Sequence, residues 1–230
     1  MSKQELLKKT NYKFEDLLEI MQILRAPGGC PWDREQTHQS IRKELIEETY
    51  EAIEGIDSLD DKIMCEEFGD MLLQIVFHAD IANERGAFNI DDICDGICKK
   101  LIYRHPHVFA DVDVENSEEV LRNWDELKKK EKGQQNKADV LLSVSKALPS
   151  LMRAQKLAKK SGIEYSENQV IESIESITQK LKNCESNEKE RLLGELLFEC
   201  GKYANCNKLD SEKALYDKND SFCAENIKNI

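Results

Sequence analysis

The chain has 230 residues, and its 33 basic and 45 acidic side chains give a formal net charge of −12. So acidic a chain would be repelled by a nucleic-acid backbone or an anionic membrane, and neither is expected as its main partner. No apolar run approaches the ~20 residues of a transmembrane helix. The charged first residues are also unlike a signal peptide. These features predict a cytoplasmic protein.

Glycine and proline are scarce, and apolar residues recur at helical spacing, so the sequence predicts an all-α fold. The first predicted helices cover about 5–25, 37–57, 61–84, 90–105 and 117–132. Asn89 is the predicted N-cap of the fourth, and Asn116 or Ser117 that of the fifth. Beyond a polar stretch, further helices cover about 149–160, 167–184, 188–205 and 209 onwards.

Eight cysteines are scattered through these segments without any Cys-x-x-Cys pair. We expect them to be reduced, small core residues rather than disulfides or zinc ligands. The four histidines offer no second pair of ligands, which also argues against zinc.

Two pairs of acidic residues dominate the second and third predicted helices: Glu48 with Glu51, and Glu67 with Asp70. Residues three apart project from one side of a helix, so two antiparallel helices would bring four carboxylates together. Such a cluster needs protons or cations, and oxygen ligands favour Mg²⁺ first and Mn²⁺ second. The alternative is a chance pairing on solvated helix faces in a chain with 45 acids.

The position of Asp70 favours the metal site. Asp70 shares a helix face with Leu73 and Phe77, within a run that is apolar around most of its circumference. We therefore expect this helix to be covered on more than one side, and burying a carboxylate is costly unless it is paired or bound to metal. A di-iron site is not expected, because no Glu-x-x-His spacing occurs.

Basic and aromatic residues later in the chain are candidate contacts for a phosphorylated substrate. Lys100 and Arg104 lie one helical turn apart, as do Trp124 and Lys128. Trp32 and Trp124 are candidates to stack on a base. The alternative is that the lysines offset helix dipoles and that the tryptophans are core residues.

Five ordered blocks, covering about residues 14–132, resemble MazG-type nucleoside triphosphate pyrophosphohydrolases. They are LRAPGGCPWDREQT from Leu24, EETYE from Glu47, EEFGDMLLQIVF from Glu66, KLIYRHPHVFAD from Lys100, and the segment from Asn116 to Lys128.

The resemblance implies an all-α fold that dimerises into helical bundles, and Mg²⁺-dependent hydrolysis of a (d)NTP to a (d)NMP and pyrophosphate. The implied metal ligands are Glu48, Glu51, Glu67 and Asp70. The implied substrate contacts are Lys100, Arg104, Trp124 and Lys128. Glu47, beside the catalytic ligand Glu48, is the candidate general base. We expect broad base specificity, since stacking on Trp32 or Trp124 tolerates any base.

A second, damaged copy of the acidic motifs follows. In the best register Glu172 and Glu175 keep the first acidic pair, Leu192 replaces Glu67, and Glu195 replaces Asp70. The lysine and arginine at 100 and 104 correspond to Ser221 and Glu225. This pattern predicts a catalytic module over 1–132, a linker over 133–148, and a truncated, inactive module over 149–230 that serves packing or dimerisation.

Two other functions stay open on the sequence. One is a non-catalytic, nucleotide-binding helical regulatory protein. The other is a pyrophosphohydrolase of an alarmone or a damaged nucleotide.

Overall fold

The computed structural model describes residues 3–227, and every regular element in that range is helical, as the sequence predicts. The helices are α1 (Lys3–Leu6), α2 (Phe14–Arg25), α3 (Pro31–Glu35), α4 (Arg42–Ser58), α5 (Asp61–Glu84), α6 (Ile90–Arg104), α7 (Pro106–Phe109), α8 (Ser117–Glu131), α9 (Lys137–Leu142), α10 (Ser150–Lys160), α11 (Glu167–Asn183), α12 (Lys189–Cys206) and α13 (Ser211–Ile227). A single 3₁₀ turn, Ser186–Glu188, precedes α12. No helix among these residues is long and apolar enough to cross a membrane.

The chain forms two compact units that meet in sequence between Asp113 and Val114. Helices α1 to α7 belong to the first unit and α8 to α13 to the second. By packing, α8 therefore groups with the second unit, whereas the sequence motifs group it with the first.

The first unit is built on a hairpin of α4 and α5. Its tight connection places Leu59 in the left-handed region, with φ 55°, and Asp60 caps α5 by accepting from the amides of Lys62 (2.9 Å) and Ile63 (3.2 Å). Gly55 allows the close approach of the two helices, because a Cβ there would lie 2.9 Å from the Met64 amide nitrogen. The turn and this close approach together fix the hairpin.

The core of the first unit lies between α2 and α5. Its buried apolar residues are Met21, Ile41, Val76, Phe77 and Ile81. The C-terminal half of α5 is covered on more than one side, because Val76, Phe77, Ala79 and Ala82 are all buried, whereas Phe68 and Leu72 in its N-terminal half are exposed. The expectation that α5 is covered on more than one side is therefore confirmed for the C-terminal half of the helix.

Arg25, at the end of α2, joins three elements of the first unit. Its Nε donates to Asp80 Oδ2 (3.0 Å) and its Nη2 to Glu84 Oε2 (2.7 Å), both on α5. Its Nη1 donates to the carbonyl of Asp33 on α3, and the guanidinium lies 5.2 Å from the centre of the Phe77 ring. Partial burial raises the pKa of Asp80, and the Arg25 charge offsets this only in part. The Arg25 clamp therefore holds the Pro- and Gly-rich loop and α3 against α5.

Two predicted helices at the start of the chain are wrong in their bounds. The single helix expected over about 5–25 is interrupted between α1 and α2, because Asp16 accepts from the Lys13 amide (2.9 Å) and from the Lys9 side chain. The helix expected from Thr37 begins only at Arg42. There, Thr37 and Ser40 exchange side-chain to backbone hydrogen bonds of 2.9 and 3.2 Å, which hold a turn.

Two further expectations need correction. The stretch predicted as a linker contains α9, because Asn136 and Asp139 form a reciprocal capping box. All eight cysteines are free, but only Cys30, Cys184 and Cys206 are even partly buried. The expectation that the cysteines are core residues is therefore wrong for the other five. The predicted caps Asn89 and Asn116 are confirmed.

The second unit is built on a hairpin of α11 and α12, with α10 packed along α12 and α13 against α10. Gly201 permits the close contact with α10, since a Cβ there would lie 3.0 Å from the Gln155 amide nitrogen. Val170, Ile177 and Leu192 are buried between the helices. The order of packing repeats that of α2, α4 and α5 in the first unit.

Replacing Arg25 with alanine should lower the free energy of unfolding by about 1.5–3 kcal/mol, because Asp80 then loses its charged hydrogen-bond partner at a partly buried site. Chemical denaturation followed by circular dichroism measures this change. Arg34→Ala, in the exposed part of α3, is the matched control and should change stability little. Equal decreases in the free energy of unfolding of the two variants would contradict a specific role for the Arg25 clamp.

Candidate metal centre

Three carboxylates converge where α4 meets α5. Glu48, Glu67 and Asp70 each present one oxygen atom, and the three oxygens lie within 4.8 Å of one another. Glu48 comes from α4, and Glu67 and Asp70 come from successive turns of α5. All three side chains are partly buried. The hairpin thus brings together three of the four ligands that the sequence predicts.

The cluster has no basic partner among the described residues. No salt bridge within residues 3–227 involves Glu48, Glu51, Glu67 or Asp70. Three close, like charges without a counter-charge repel one another, so the arrangement favours protonation or the binding of a cation.

The pKa values of two members show this repulsion. Partial burial, and then the charges of Asp70 and Glu51, raise the pKa of Glu48 above the ordinary value for glutamate. Partial burial, and then the charges of Glu51 and Asp70, raise the pKa of Glu67. Each carboxylate therefore holds its proton to higher pH than an isolated glutamate does.

The structure places Glu51 next to the cluster but not inside it. Glu51 is absent from the group of mutually close oxygens, yet its charge is the largest electrostatic contribution to the raised pKa of Glu67. The four predicted ligands are therefore neighbours, with Glu51 exposed at the edge.

One acidic residue that the sequence analysis did not single out lies beside the cluster. Glu44 is one turn before Glu48 on α4, and its charge also contributes to the raised pKa of Glu48. Its Oε2 atom is buried and has no hydrogen-bond partner. The i, i+4 spacing of Glu44 and Glu48 was the available signal in the sequence.

Glu47, the predicted general base, is not a member of the three-oxygen group, although its charge contributes to the raised pKa of Glu48. Its Oε1 atom accepts from Lys43 Nζ at 2.5 Å in an i, i+4 ion pair, and half of its side chain is exposed. The pair also raises the pKa of Lys43, because the hydrogen bond and the charge of Glu47 favour the ammonium form.

The predicted substrate contacts are divided between the two units. Lys100 is exposed on α6, and Arg104 is buried at the end of the same helix, where it has an interaction partner. Trp32 is exposed on α3, with 58% of its surface accessible. Trp124 and Lys128 are partly buried on α8, in the second unit.

The corresponding positions of the second unit do not form such a group. Leu192, in the place of Glu67, is buried and apolar. Glu195, in the place of Asp70, accepts from Arg191, whose other nitrogen lies 3.4 Å from Glu188. Within residues 3–227, no acidic group that could hold a metal is found in this unit.

The donor set of the first unit fits a hard divalent cation. All three mutually close ligands are carboxylate oxygens, and neither a cysteine nor a histidine joins them. Oxygen-only sites with few protein ligands suit Mg²⁺ or Mn²⁺ bound together with waters and substrate phosphates. The lack of any basic partner means that a cation would supply the missing counter-charge.

Comparison with known proteins places this site in a family. The MazG nucleotide pyrophosphohydrolase domain model matches residues 36–109, which contain all four predicted ligands. The uncharacterised Bacillus subtilis protein YabN is 48% identical over 148 residues, which are 64% of this chain and 30% of YabN. The chain thus spans less than a third of that relative.

Two relatives match over nearly the whole chain. The nucleoside triphosphate pyrophosphohydrolase/pyrophosphatase MazG of Thermotoga maritima is 41% identical over 214 residues, covering 91% of this chain and 82% of the relative. The nucleoside triphosphate pyrophosphohydrolase of Escherichia coli K12 is 38% identical over 221 residues, which cover 91% of this chain and 84% of that relative. The chain belongs to the MazG family of nucleotide pyrophosphohydrolases.

Proposed function

We propose that this nucleoside triphosphate pyrophosphohydrolase splits (d)NTPs to (d)NMPs and pyrophosphate in a Mg²⁺-dependent reaction at the carboxylate cluster of α4 and α5. The enzyme class follows from the relatives that match over most of the chain. The observation that carries the proposed site is the convergence of three carboxylates without a basic partner.

Glu48, Glu67 and Asp70 would hold the divalent cation, with Glu51 as the fourth ligand beside them. A bound Mg²⁺ supplies the positive charge that neutralises the triphosphate and lowers the pKa of a coordinated water. The hairpin fixes the three oxygens before the substrate arrives, and such preorganisation is what electrostatic catalysis requires.

Glu47 is our proposed acceptor of the proton from the attacking water. Its neighbour in sequence is the ligand Glu48, and its ion pair with Lys43 holds its side chain.

Lys100, Arg104, Trp124 and Lys128 are the proposed contacts of the nucleotide, with Trp32 a further stacking surface. Lysine and arginine can neutralise phosphate oxygens, and arginine can do so with two parallel hydrogen bonds. The exposed indole of Trp32 would stack on any base, which agrees with broad base specificity.

We also propose that the second unit is a degenerate repeat of the first and that two copies of the chain associate. The packing order of α10, α11 and α12 parallels that of α2, α4 and α5. Exposed apolar residues of α5, such as Phe68 and Leu72, correspond in register to Leu193 and Leu197 of α12, which are also exposed. Such surfaces favour pairing with a second copy.

The first test is pyrophosphate release from a panel of NTPs, dNTPs, alarmones and modified nucleotides, with Mg²⁺ and with EDTA. We expect metal-dependent pyrophosphate release that falls at least a hundredfold in Glu67→Ala, because an incomplete ligand set cannot hold the cation. Glu172→Ala/Glu175→Ala, in the equivalent helix of the second unit, is the matched control and should keep near-normal turnover.

The outcomes separate the three functions. Orthophosphate in place of pyrophosphate would contradict cleavage between the α- and β-phosphates. Nucleotide binding without turnover would indicate a regulatory protein, and turnover of alarmones or modified nucleotides alone would replace the proposed substrate class.

A second test uses the raised pKa values of Glu48 and Glu67. Because folding raises both pKa values, the folded state holds more protons, and the stability of the metal-free protein should fall as pH rises above 4.5 through those values. Mg²⁺ should reverse this loss at neutral pH by binding the ionised carboxylates.

Thermal unfolding with EDTA or Mg²⁺ between pH 4.5 and 8 measures this linkage. Glu67→Gln should melt higher than the wild type in EDTA at neutral pH and should gain little from Mg²⁺. Glu54→Gln, on the exposed side of α4, is the matched control and should respond to Mg²⁺ like the wild type. If Mg²⁺ raises the melting temperature of Glu67→Gln as much as that of the wild type, the metal does not bind at this site.

A further inference from the structure

We infer that the second unit contains a separate binding site for short polyphosphate chains, in a lysine-lined groove formed by α8, α10 and the connection between α12 and α13. The groove has a volume of about 800 Å³, a size that accommodates a nucleotide or an oligophosphate. Besides Lys128, which is already a proposed contact of the nucleotide, five of its lining residues are lysines: Lys129, Lys156, Lys159, Lys160 and Lys208.

The charge of the groove is opposite to that of the protein. Residues 128–160 carry ten basic and two acidic side chains, a net charge of +8. The chain as a whole carries −12, so its remaining residues carry −12 − 8 = −20. A positive segment of this strength concentrates small anions locally, even on an acidic protein.

Five of the six groove lysines are not neutralised within the described part of the chain. Among residues 3–227, no salt bridge or side-chain hydrogen bond involves these five, Lys129, Lys156, Lys159, Lys160 and Lys208. The groove has only two acidic lining residues, Asp125 and Asp210, and Asp210 already accepts from the amides of Glu212 and Lys213 at 3.0 Å.

Helix dipoles do not explain the cluster fully. Lys159 and Lys160 lie in the last turn of α10, and Lys128 and Lys129 lie in the last turn of α8, where a positive charge is ordinary. Lys156 lies earlier on α10, and Lys208 comes from a different connection.

The floor of the groove is held by hydrogen bonds between distant parts of the chain. Gln155 Nε2 donates to the Leu209 carbonyl (2.7 Å), and Gln155 Oε1 accepts from the Ser211 amide (3.0 Å). Asn205 Nδ2 donates to the Gln155 carbonyl at 2.8 Å. These bonds fix the lysines that flank Gln155 and Leu209, so the groove does not have to form upon binding.

The lining residues favour a phosphate chain over other anions. Neither an aromatic ring nor an arginine lines the groove in the described part of the chain, so it offers nothing to stack on a base or to read one. A long nucleic acid would extend beyond the lysines and over the acidic rest of the chain, which would repel it. A short polyphosphate stays within one Debye length of the lysines, about 8 Å at physiological ionic strength.

The test is calorimetric binding of inorganic tripolyphosphate to the full chain in EDTA, which prevents metal-dependent binding at the carboxylate cluster. We expect Lys156→Glu/Lys160→Glu to weaken binding at least tenfold. Lys180→Glu/Lys182→Glu, with the same charge change on the exposed face of α11, is the matched control and should weaken it less than twofold. Glu67→Ala should bind tripolyphosphate like the wild type, which separates this site from the catalytic one.

The affinities for pyrophosphate and for α,β-methylene ATP are compared with the affinity for tripolyphosphate. This comparison distinguishes a free phosphate chain from the phosphates of a nucleotide. Equal affinities for tripolyphosphate and the nucleotide analogue identify the phosphates as the recognised group, and tighter binding of the analogue identifies a nucleotide. The inference is overturned if the wild type does not bind tripolyphosphate in EDTA, or if the two lysine variants lose affinity equally. Lys156→Gln/Lys160→Gln replaces the charge-reversal variant if circular dichroism shows that the latter is unfolded.

Discussion

Repulsion among like charges is the constraint on which the active part of this protein depends. The hairpin of α4 and α5 brings three carboxylate oxygens within 4.8 Å of one another without a basic partner among the described residues. Packing elsewhere must supply the free energy that holds them there. The close approach at Gly55 and the cap at Asp60 fix the hairpin, and the Arg25 clamp holds α5 against α2 and α3. A divalent cation bound by these carboxylates would turn this repulsion into binding energy.

The second unit differs from the first at two of the positions that correspond in sequence to these carboxylates. Leu192, in the place of Glu67, is apolar and buried, and Arg191 pairs with Glu195, in the place of Asp70. The repulsion is gone, and with it the driving force for metal binding. The second unit instead concentrates positive charge in the lysine-lined groove. The opposite charges of the two sites suit ligands that carry phosphate, bound through a cation at one site and directly at the other.

The sequence predicts the local features well because they depend on neighbouring residues. The caps at Asn89 and Asn116, the hairpin and the acidic pairs at three-residue spacing follow from helical periodicity. The contact of Arg25 with Asp80 joins residues 55 positions apart and depends on burial, which periodicity does not report. The break before α2 depends on how Asp16 caps the helix, and the groove depends on Lys208 meeting α10. The fold class and the convergence of Glu48, Glu67 and Asp70 were therefore predictable, whereas the Arg25 clamp and the groove needed the tertiary structure.

The most direct measurement of the central claim is Mn²⁺ binding followed by electron paramagnetic resonance, with Mg²⁺ as the competitor. The account predicts that the wild type removes the signal of free Mn²⁺ and that Mg²⁺ restores it. Glu48→Gln/Glu67→Gln should leave the signal unchanged, and Glu172→Gln/Glu175→Gln should behave like the wild type. Binding of Mn²⁺ by the first variant, or its loss in the second, would contradict a metal centre on α4 and α5.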